Sequence, residues 1–282
     1  MWLSRSVARG MLRLLMKPLR SYTVLYPNDL ERLRRHVRPG DVVLVEGNNR
    51  ASAAIKYLTA SMWSHAALYI GDYLCRTGHP EALQYGCEHG GEGCCLLIEA
   101  LPDRGVIASP ISTYIDFNLR VCRPFGIRPE DVRLVIEEAV GHLGARYDMR
   151  NVFDLARYFL PLQLIPMRYR RAALHFGSGL PTEVICSSLI AEAFGKVRFP
   201  ITPKVTYPEP VLRRFRLGSA ILGEESAEYT GLFQMRHPTL VTPRDFDLSP
   251  YFAIVKFNVI EEGTFDYRKI HWREEGEGAV KA

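Results

Sequence analysis

Apolar positions along the chain follow two periods, one typical of strands and one typical of helices. Runs of β-branched and other apolar residues predict strands at 42–45, 65–71, 96–101, around 105–107, 118–123 and 251–257. Apolar residues at helical spacing predict helices over 28–36, 50–61, 129–143 and 182–196. Asn28 is the predicted cap of the first helix, and the polar, Gly-rich stretch 72–94 is predicted to be an inserted loop. The pattern therefore predicts a chain that mixes helices and strands.

The composition is that of a globular protein. Of 282 residues, 47% are hydrophobic and 24% are charged, which excludes long disorder, a fibrous repeat and a polytopic membrane protein. The net charge of +5 is matched by the first twenty residues, which carry Arg5, Arg9, Arg13, Lys17 and Arg20 and no acidic residue. The rest of the chain is balanced, so nucleic acid is not an expected partner. Six cysteines are too few for a dense disulfide framework, which favours a reducing compartment and a cytoplasmic protein.

The N-terminal segment 1–20 is predicted to be a basic amphipathic helix. Its cations recur every four residues, and the opposite face carries apolar residues: Leu3, Val7, Met11, Leu14 and Leu15. The segment is too short and too charged to span a bilayer. Two interpretations stay open, because amphipathicity supports both. The helix either lies on an anionic membrane surface, as a peripheral contact on the inner side, or docks on the body of the protein.

Cys186 lies in the first turn of the predicted helix CSSLIAEAF. Backbone N–H groups and the helix dipole favour an anion there, which lowers the pKa of a thiol and suits a nucleophile. The alternative is a buried structural cysteine, which is common for a free thiol.

Two other residues could complete a catalytic group. His65 begins the predicted strand HAALYIG, where an imidazole can face a helix N-terminus and accept a thiol proton. Glu99 lies within the apolar run LLIEAL, and a buried carboxylate there must be paired. A carboxylate that orients His65 would be the third member of a triad. Without these roles, His65 would be satisfied by a neighbouring carbonyl and Glu99 would reach solvent at a strand end.

These segments resemble a known family. SHAALYIGD is similar to the histidine strand of NlpC-type cysteine peptidases, and CSSLIAEAF is similar to their cysteine helix. The order His65, Glu99, Cys186 resembles that of the circularly permuted papain-like amidases, which include YiiX-type proteins and relatives of lecithin:retinol acyltransferase. Two further segments, 40–65 and GARYD at 144–148, resemble the opening of the permuted family and its Gly-x-x-Tyr segment. The resemblance covers roughly residues 39–195.

The resemblance implies a fold, an activity and four site residues. The fold is α+β and papain-like, with an antiparallel sheet packed on the helix that bears the nucleophile, in circularly permuted order. Cys186 would be the nucleophile, His65 the general base, Glu99 the orienting residue and Tyr147 a hydroxyl near the oxyanion. The chain departs from many relatives at Ile185, where they have Asp, and at Ser188, where they have Gly. These departures affect substrate specificity rather than the triad.

One domain is expected, because the chain has no internal repeat and no clean linker. We predict the helix 1–20, a catalytic domain 21–257 and a charged tail 258–282. The domain would include the insertion 72–94 and a C-terminal extension at 200–257, neither of which matches a family motif.

Cysteine and histidine residues crowd the insertion: Cys75, His79, Cys87, His89, Cys94 and Cys95. Such residues could bind zinc, although no CxxC pair is present and the spacing matches no common finger. The alternative is a Gly-rich loop with incidental cysteines. The catalytic chemistry implied by the resemblance needs no cofactor.

The expected activity is that of a cysteine hydrolase acting on an amide or ester of a small molecule, peptide or lipid. Two other functions stay open. A lipid acyltransferase or thioesterase of the same fold would share the chemistry, and a binding module could keep the cleft without turnover. Blockage of the cleft by residues 242–257 would favour the binding module.

Overall fold

The computed structural model describes residues 16–19, 22–25, 27–85, 94–101, 104–145, 185–205 and 233–257. The helices are α1 (Leu30–His36), α2 (Arg50–Thr59), α3 (Tyr73–Arg76), α4 (Pro129–Gly141), α5 (Ile185–Lys196) and α6 (Pro243–Leu248). The strands are β1 (Val42–Val45), β2 (His65–Gly71), β3 (Leu96–Leu101), β4 (Gly105–Pro110), β5 (Leu119–Pro124), β6 (Lys204–Val205), β7 (Phe233–Gln234) and β8 (Phe252–Val255). Short 3₁₀ helices cover Pro80–Gln84, Ile111–Tyr114 and Pro238–Leu240.

A six-stranded sheet organises the fold, in the order β4–β3–β2–β1–β5–β8. Every neighbouring pair in it is antiparallel. Strands β6 and β7 form a separate antiparallel pair. Together with the helices this makes the protein α+β, as the sequence predicts.

The sheet is covered on both faces. All four residues of β1 are at most 1% exposed, although successive side chains of a strand point in opposite directions. Val42 and Leu44 pack in a core shared with α4 and α5. Val43 and Val45 pack in a second core, which Leu33 of α1 closes from the other side.

Helix α5 is held on the sheet by its apolar side chains. Leu189, Ile190 and Phe194 are buried, and each contributes about 1.5–3 kcal/mol relative to an exposed side chain. The Phe194 ring meets Phe252 of β8 edge-to-face, with the ring centroids 5.4 Å apart. These contacts fix the helix that carries Cys186 against the strands that carry His65 and Glu99.

The cap of α1 differs from the prediction. Asp29 caps the helix, since its Oδ1 accepts hydrogen bonds from the backbone N–H groups of Glu31 at 2.9 Å and Arg32 at 3.1 Å. Asn28 instead donates its side-chain amide to the carbonyls of Ile115 and Phe117 at 2.7 and 2.6 Å. The prediction of Asn28 as the cap is therefore wrong by one residue, because that side chain is used in a long-range contact.

The predicted loop at 72–94 is wrong for its first half. Residues 73–76 form α3 and residues 80–84 form a 3₁₀ helix. Leu74 and Ala82 are buried in the core on the α5 side of the sheet. Burial of these two side chains stabilises helical turns that show no period in the sequence. Residues 86–93 lie outside the described residues.

The C-terminal segment 242–257 is part of the domain core. Strand β8 pairs with β5 at the edge of the sheet. Helix α6 starts with a capping box, in which Thr242 and Asp245 satisfy each other's backbone N–H groups. Phe246 of α6 is fully buried.

The end of the predicted N-terminal helix is not helical. Pro18 forms a β-bridge with Asn49, and the Leu19 N–H donates to the Asn48 carbonyl at 2.7 Å. Proline lacks the N–H that a helix interior needs, which accounts for the difference. Residues 1–15, on which most of the amphipathic prediction rests, lie outside the described residues. No helix in the described part of the chain combines the length and the apolar character needed to cross a membrane.

Candidate active site

The register of the sheet places His65 and Glu99 on the same face. Strand β2 pairs with β3 so that Leu68 lies opposite Ile98, and continuing that register puts Glu99 opposite Ala67. His65 is two residues from Ala67 and shares its face, because side chains alternate along a strand. The two side chains are therefore diagonal neighbours across two strands.

The imidazole of His65 and the carboxylate of Glu99 are in direct contact. The distance from His65 Nε2 to Glu99 Oε2 is 2.6 Å. Glu99 is 1% exposed, so the hydrogen bond is shielded from water. Because Nε2 is engaged, Nδ1 is the ring nitrogen left for a third partner.

Two further hydroxyl groups bind the same carboxylate. Ser109 of β4 donates to Glu99 Oε1, and Tyr114 of the following 3₁₀ helix donates to Glu99 Oε2. The Tyr114 ring also lies beside the His65 ring, with centroids 5.8 Å apart. The buried carboxylate thus accepts three hydrogen bonds, which fix its position and satisfy its charge.

Cys186 is the second residue of α5 and is 4% exposed. Its side chain lies next to the imidazole of His65, close enough to raise the pKa of that ring through its charge and hydrogen bonding. The next residue, Ser187, anchors this turn of the helix by donating to the Val241 carbonyl at 2.5 Å. Sulfur, imidazole and carboxylate from α5, β2 and β3 therefore form one connected chain.

The charges in this chain support one another. Burial by itself lowers the pKa of His65, but the charge and hydrogen bond of Cys186, followed by those of Glu99, outweigh it and raise that pKa to about 10. Burial raises the pKa of Glu99, yet the hydrogen bond and charge of His65 and the hydroxyls of Ser109 and Tyr114 lower it overall. Burial and the Glu99 charge raise the pKa of Tyr114, which keeps its hydroxyl protonated. The arrangement favours a protonated His65 imidazole next to the Cys186 sulfur at neutral pH.

Sequence reasoning missed Ser109 and Tyr114. Serine and tyrosine are common in strands and in the turns that follow them, and no sequence motif marks these two residues as partners of Glu99. The one signal is register: Ser109 lies opposite Leu97, which shares a face with Glu99. Tyr147, the fourth predicted site residue, lies outside the described residues.

The residue two positions before His65 is tied to the C-terminal segment. Trp63 is buried and donates its indole Nε1–H to Asp247 Oδ2. Arg120 forms an ion pair with the other Asp247 oxygen, and its guanidinium lies over the Trp63 ring, 5.1 Å from the centroid. Helix α6 therefore supports the turn that leads into β2.

The cysteines and histidines of the insertion do not converge among the described residues. Cys75 is disulfide-bonded, so its sulfur is not available as a thiolate ligand, and a reducing compartment would not favour this bond. Cys95 is buried against the Tyr69 hydroxyl, and His79 Nδ1 accepts from the Glu81 N–H at 3.3 Å. Cys94 is half-buried, while Cys87 and His89 lie outside the described residues.

Comparison with known proteins identifies no family. No family model and no curated protein matches the chain. Among solved structures, the metalloprotein YiiX from Escherichia coli O157:H7 is similar at a TM-score of 0.43 with 15% sequence identity. The alignment covers 79% of this chain and 98% of that protein.

Proposed function

We propose that this protein is a cysteine hydrolase that cleaves an amide or ester bond, with Cys186 as nucleophile, His65 as acid and base, and Glu99 as the residue that orients His65. The observation that carries the proposal is the connected chain of the three side chains, closed by a 2.6 Å hydrogen bond between His65 and a buried carboxylate. The fold would be papain-like in circularly permuted order, since His65 and Glu99 precede Cys186.

The first half of the proposed reaction forms an acyl-enzyme. The Cys186 thiolate attacks the acyl carbon, and the carbonyl electrons move to oxygen. The backbone N–H of Cys186, at the start of α5, is the proposed donor to that oxyanion. The intermediate collapses as the C–N or C–O bond breaks, and the His65 imidazolium gives its proton to the leaving amine or alkoxide. A thioester on Cys186 and a neutral imidazole remain.

The second half returns the enzyme to its starting state. His65 takes a proton from water, and the hydroxide attacks the thioester carbon. The C–S bond breaks, which releases the carboxylic acid and restores the thiolate and the imidazolium. If the acceptor is a lipid hydroxyl or amine rather than water, the same steps transfer the acyl group.

Glu99 is suited to the orienting role. Its three hydrogen bonds allow little rotation, so its hold on Nε2 keeps Nδ1 directed towards the sulfur. Its negative charge also stabilises the positive charge of the His65 imidazolium in this buried site.

The proposal is tested by trapping the acyl-enzyme. We expect p-nitrophenyl esters of graded chain length to give a burst of p-nitrophenol and an acyl adduct on Cys186, measured by stopped-flow absorbance and mass spectrometry. The Cys186→Ala variant should give neither. Cys122→Ser is the matched control, since burial raises the pKa of that thiol to about 12 and it has no role in the proposal.

Three outcomes would reject the hydrolase. An adduct that forms equally in Cys186→Ala would place the reaction elsewhere. Rapid alkylation of Cys186 by iodoacetamide without any acyl adduct from esters, thioesters or amides would indicate a binding module that keeps an activated thiol. An adduct that forms but is released only by a lipid acceptor would indicate an acyltransferase.

A further inference from the structure

A second group of titratable side chains lies between helices α4 and α5, apart from the proposed active site. Glu138 and His142 are one helical turn apart at the end of α4, and Glu192 faces them from α5. Their carboxylate and imidazole ligand atoms all lie within 4.8 Å of one another. We propose that these three residues, the interhelical site, bind a zinc ion.

The distances are close to those of a zinc site. Ligand atoms about 2.0–2.2 Å from a tetrahedral ion lie roughly 3.4 Å from one another. The three side chains therefore need to close by about 1.4 Å at most, which rotation of a glutamate side chain provides without movement of the helices. Packing of apolar residues of α4 and α5, such as Val135 and Leu189, in one core holds the backbones in place.

The imidazole of His142 is already oriented for a metal. Its Nδ1 lies 2.8 Å from the backbone carbonyl of Glu138. A carbonyl only accepts, so Nδ1 donates this hydrogen bond and Nε2 is the ring nitrogen left to bind a metal. A backbone carbonyl that holds the second nitrogen of the ring is the usual arrangement for a histidine that binds a metal.

The negative charge of the interhelical site would also be stabilised by a bound cation. Two carboxylates meet here, and the Lys196 ammonium lies 3.3 Å from Glu138 Oε2. Among the described residues, none forms an ion pair with Glu192. Lys196 therefore neutralises one of the two charges and competes with an ion for Glu138.

The ligand set favours zinc over harder cations. Calcium and magnesium prefer sites made only of oxygen atoms, whereas zinc accepts one imidazole nitrogen with two carboxylates and a water. The half-exposed position leaves room for that water and for entry of the ion.

A zinc ion at the interhelical site would crosslink helices α4 and α5. Glu192 follows Cys186 by six residues, which is about 9 Å along the axis of α5. An ion there is too far from the sulfur to take part in the proposed hydrolysis, but it would tie the nucleophile-bearing helix to α4. The proposal stands independently of the proposed function.

Zinc binding to the whole chain tests the proposal. After dialysis against EDTA, isothermal titration with ZnCl₂ should give one site per chain, and saturation should raise the thermal midpoint by roughly 5–10 °C. His142→Gln and Glu192→Gln should each weaken this binding about 100-fold or more. His36→Gln is the matched control, because His36 is an exposed helix histidine with the same Nδ1 contact, to the Arg32 carbonyl.

A variant that is expected to strengthen zinc binding separates loss of the site from misfolding, because a misfolded protein would not bind zinc more tightly. Lys196→Met removes the competing ammonium, so we expect tighter zinc binding than in the wild type, at an unchanged fold by circular dichroism. Cysteine thiolates are good ligands for zinc, so the titration is repeated on Cys94→Ser/Cys95→Ser protein.

Three results would overturn the interhelical site. The first is a chain that binds no zinc at micromolar concentrations. The second is binding that persists in His142→Gln and Glu192→Gln but disappears with the cysteines. The third is binding that Lys196→Met leaves unchanged or weakens.

Discussion

Trp63 and Asp247 are joined by a hydrogen bond of 3.0 Å from indole Nε1 to Oδ2, across 184 positions of sequence. The same carboxylate is paired with Arg120, which covers the face of the indole. The contact links helix α6 to the residues that immediately precede His65. The C-terminal segment is thus connected to the candidate active site through one carboxylate.

Removal of that carboxylate should weaken the fold. In Asp247→Ala the buried indole N–H loses its acceptor, which costs about 1–3 kcal/mol in the free energy of unfolding, measured by urea denaturation. In a Trp63→Phe background the same change should cost less, because no donor is left unsatisfied. Equal costs in both backgrounds would show that the hydrogen bond contributes nothing.

Gly47 is expected to tolerate no side chain. A Cβ at this position would lie 2.1 Å from Ser52 Oγ and 2.8 Å from Ser64 Oγ, and Ser64 accepts the Gly47 N–H at 2.9 Å. We expect Gly47→Ala to destabilise the protein by about 1–3 kcal/mol. Gly195→Ala in α5 is the control, because a Cβ there meets no atom within 4 Å, and it should be neutral or stabilising by up to about 1 kcal/mol. Similar unfolding midpoints for both variants would contradict this.

The hydroxyl of Tyr114 should stabilise the protein through Glu99. Hydrogen bonds to charged groups contribute about 1.5–3 kcal/mol, so Tyr114→Phe should lower the free energy of unfolding by that order at neutral pH. Tyr57→Phe, at an 86% exposed residue, is the control.

The decrease in the free energy of unfolding caused by Tyr114→Phe should depend on pH, and its direction follows from the pKa of Glu99. The pKa of Glu99 is lowered from its ordinary value of 4.5, so the stability it contributes is present above pH 4.5 and is lost as the pH falls through the lowered value. The difference between wild type and Tyr114→Phe should therefore shrink on acidification. A difference independent of pH would indicate lost packing alone.

His65 should stay protonated well above neutral pH. Its pKa is raised to about 10, and after burial the strongest influences are the charge and hydrogen bond of Cys186. In Cys186→Ser the attraction is lost, so we expect a lower pKa for the imidazole, followed by NMR of the ring carbons. In the wild type, acylation should fall as the pH rises through about 10, because the imidazolium is the proposed acid. Titration of His65 near 6.5 in both proteins would contradict the coupling.

The sequence was sufficient to predict the strands near the site but not their register. Apolar runs mark β1, β2 and β3 at the predicted residues, because these strands are buried on both faces. The neighbourhood of His65 and Glu99 depends on which residues pair, and pairing is decided by contacts between distant segments. Glu99 could be singled out because an acid in an apolar run needs a partner.

Three other features leave no signal in the sequence, and each has a physical reason: the hydroxyl groups that bind Glu99, helix α3 and the cap of α1. Ser109 and Tyr114 act through one carboxylate and show no pattern of their own. Helix α3 has no period in the sequence because one buried residue, Leu74, holds it in place. The sequence does not distinguish Asn28 from Asp29 as the cap of α1, because both residue types are good caps. Only the long-range contacts of the Asn28 side chain separate them.

Burial of β1 on both sides has a consequence for how the sequence can vary. In a strand with one face in water, buried side chains alternate with exposed ones. Substitutions are tolerated mainly at the exposed positions, which are every second residue. Val42–Val45 has no permissive position, because every side chain there is enclosed. Divergent homologues should therefore exchange only aliphatic residues along this segment, even where the rest of the sequence has become unrecognisable.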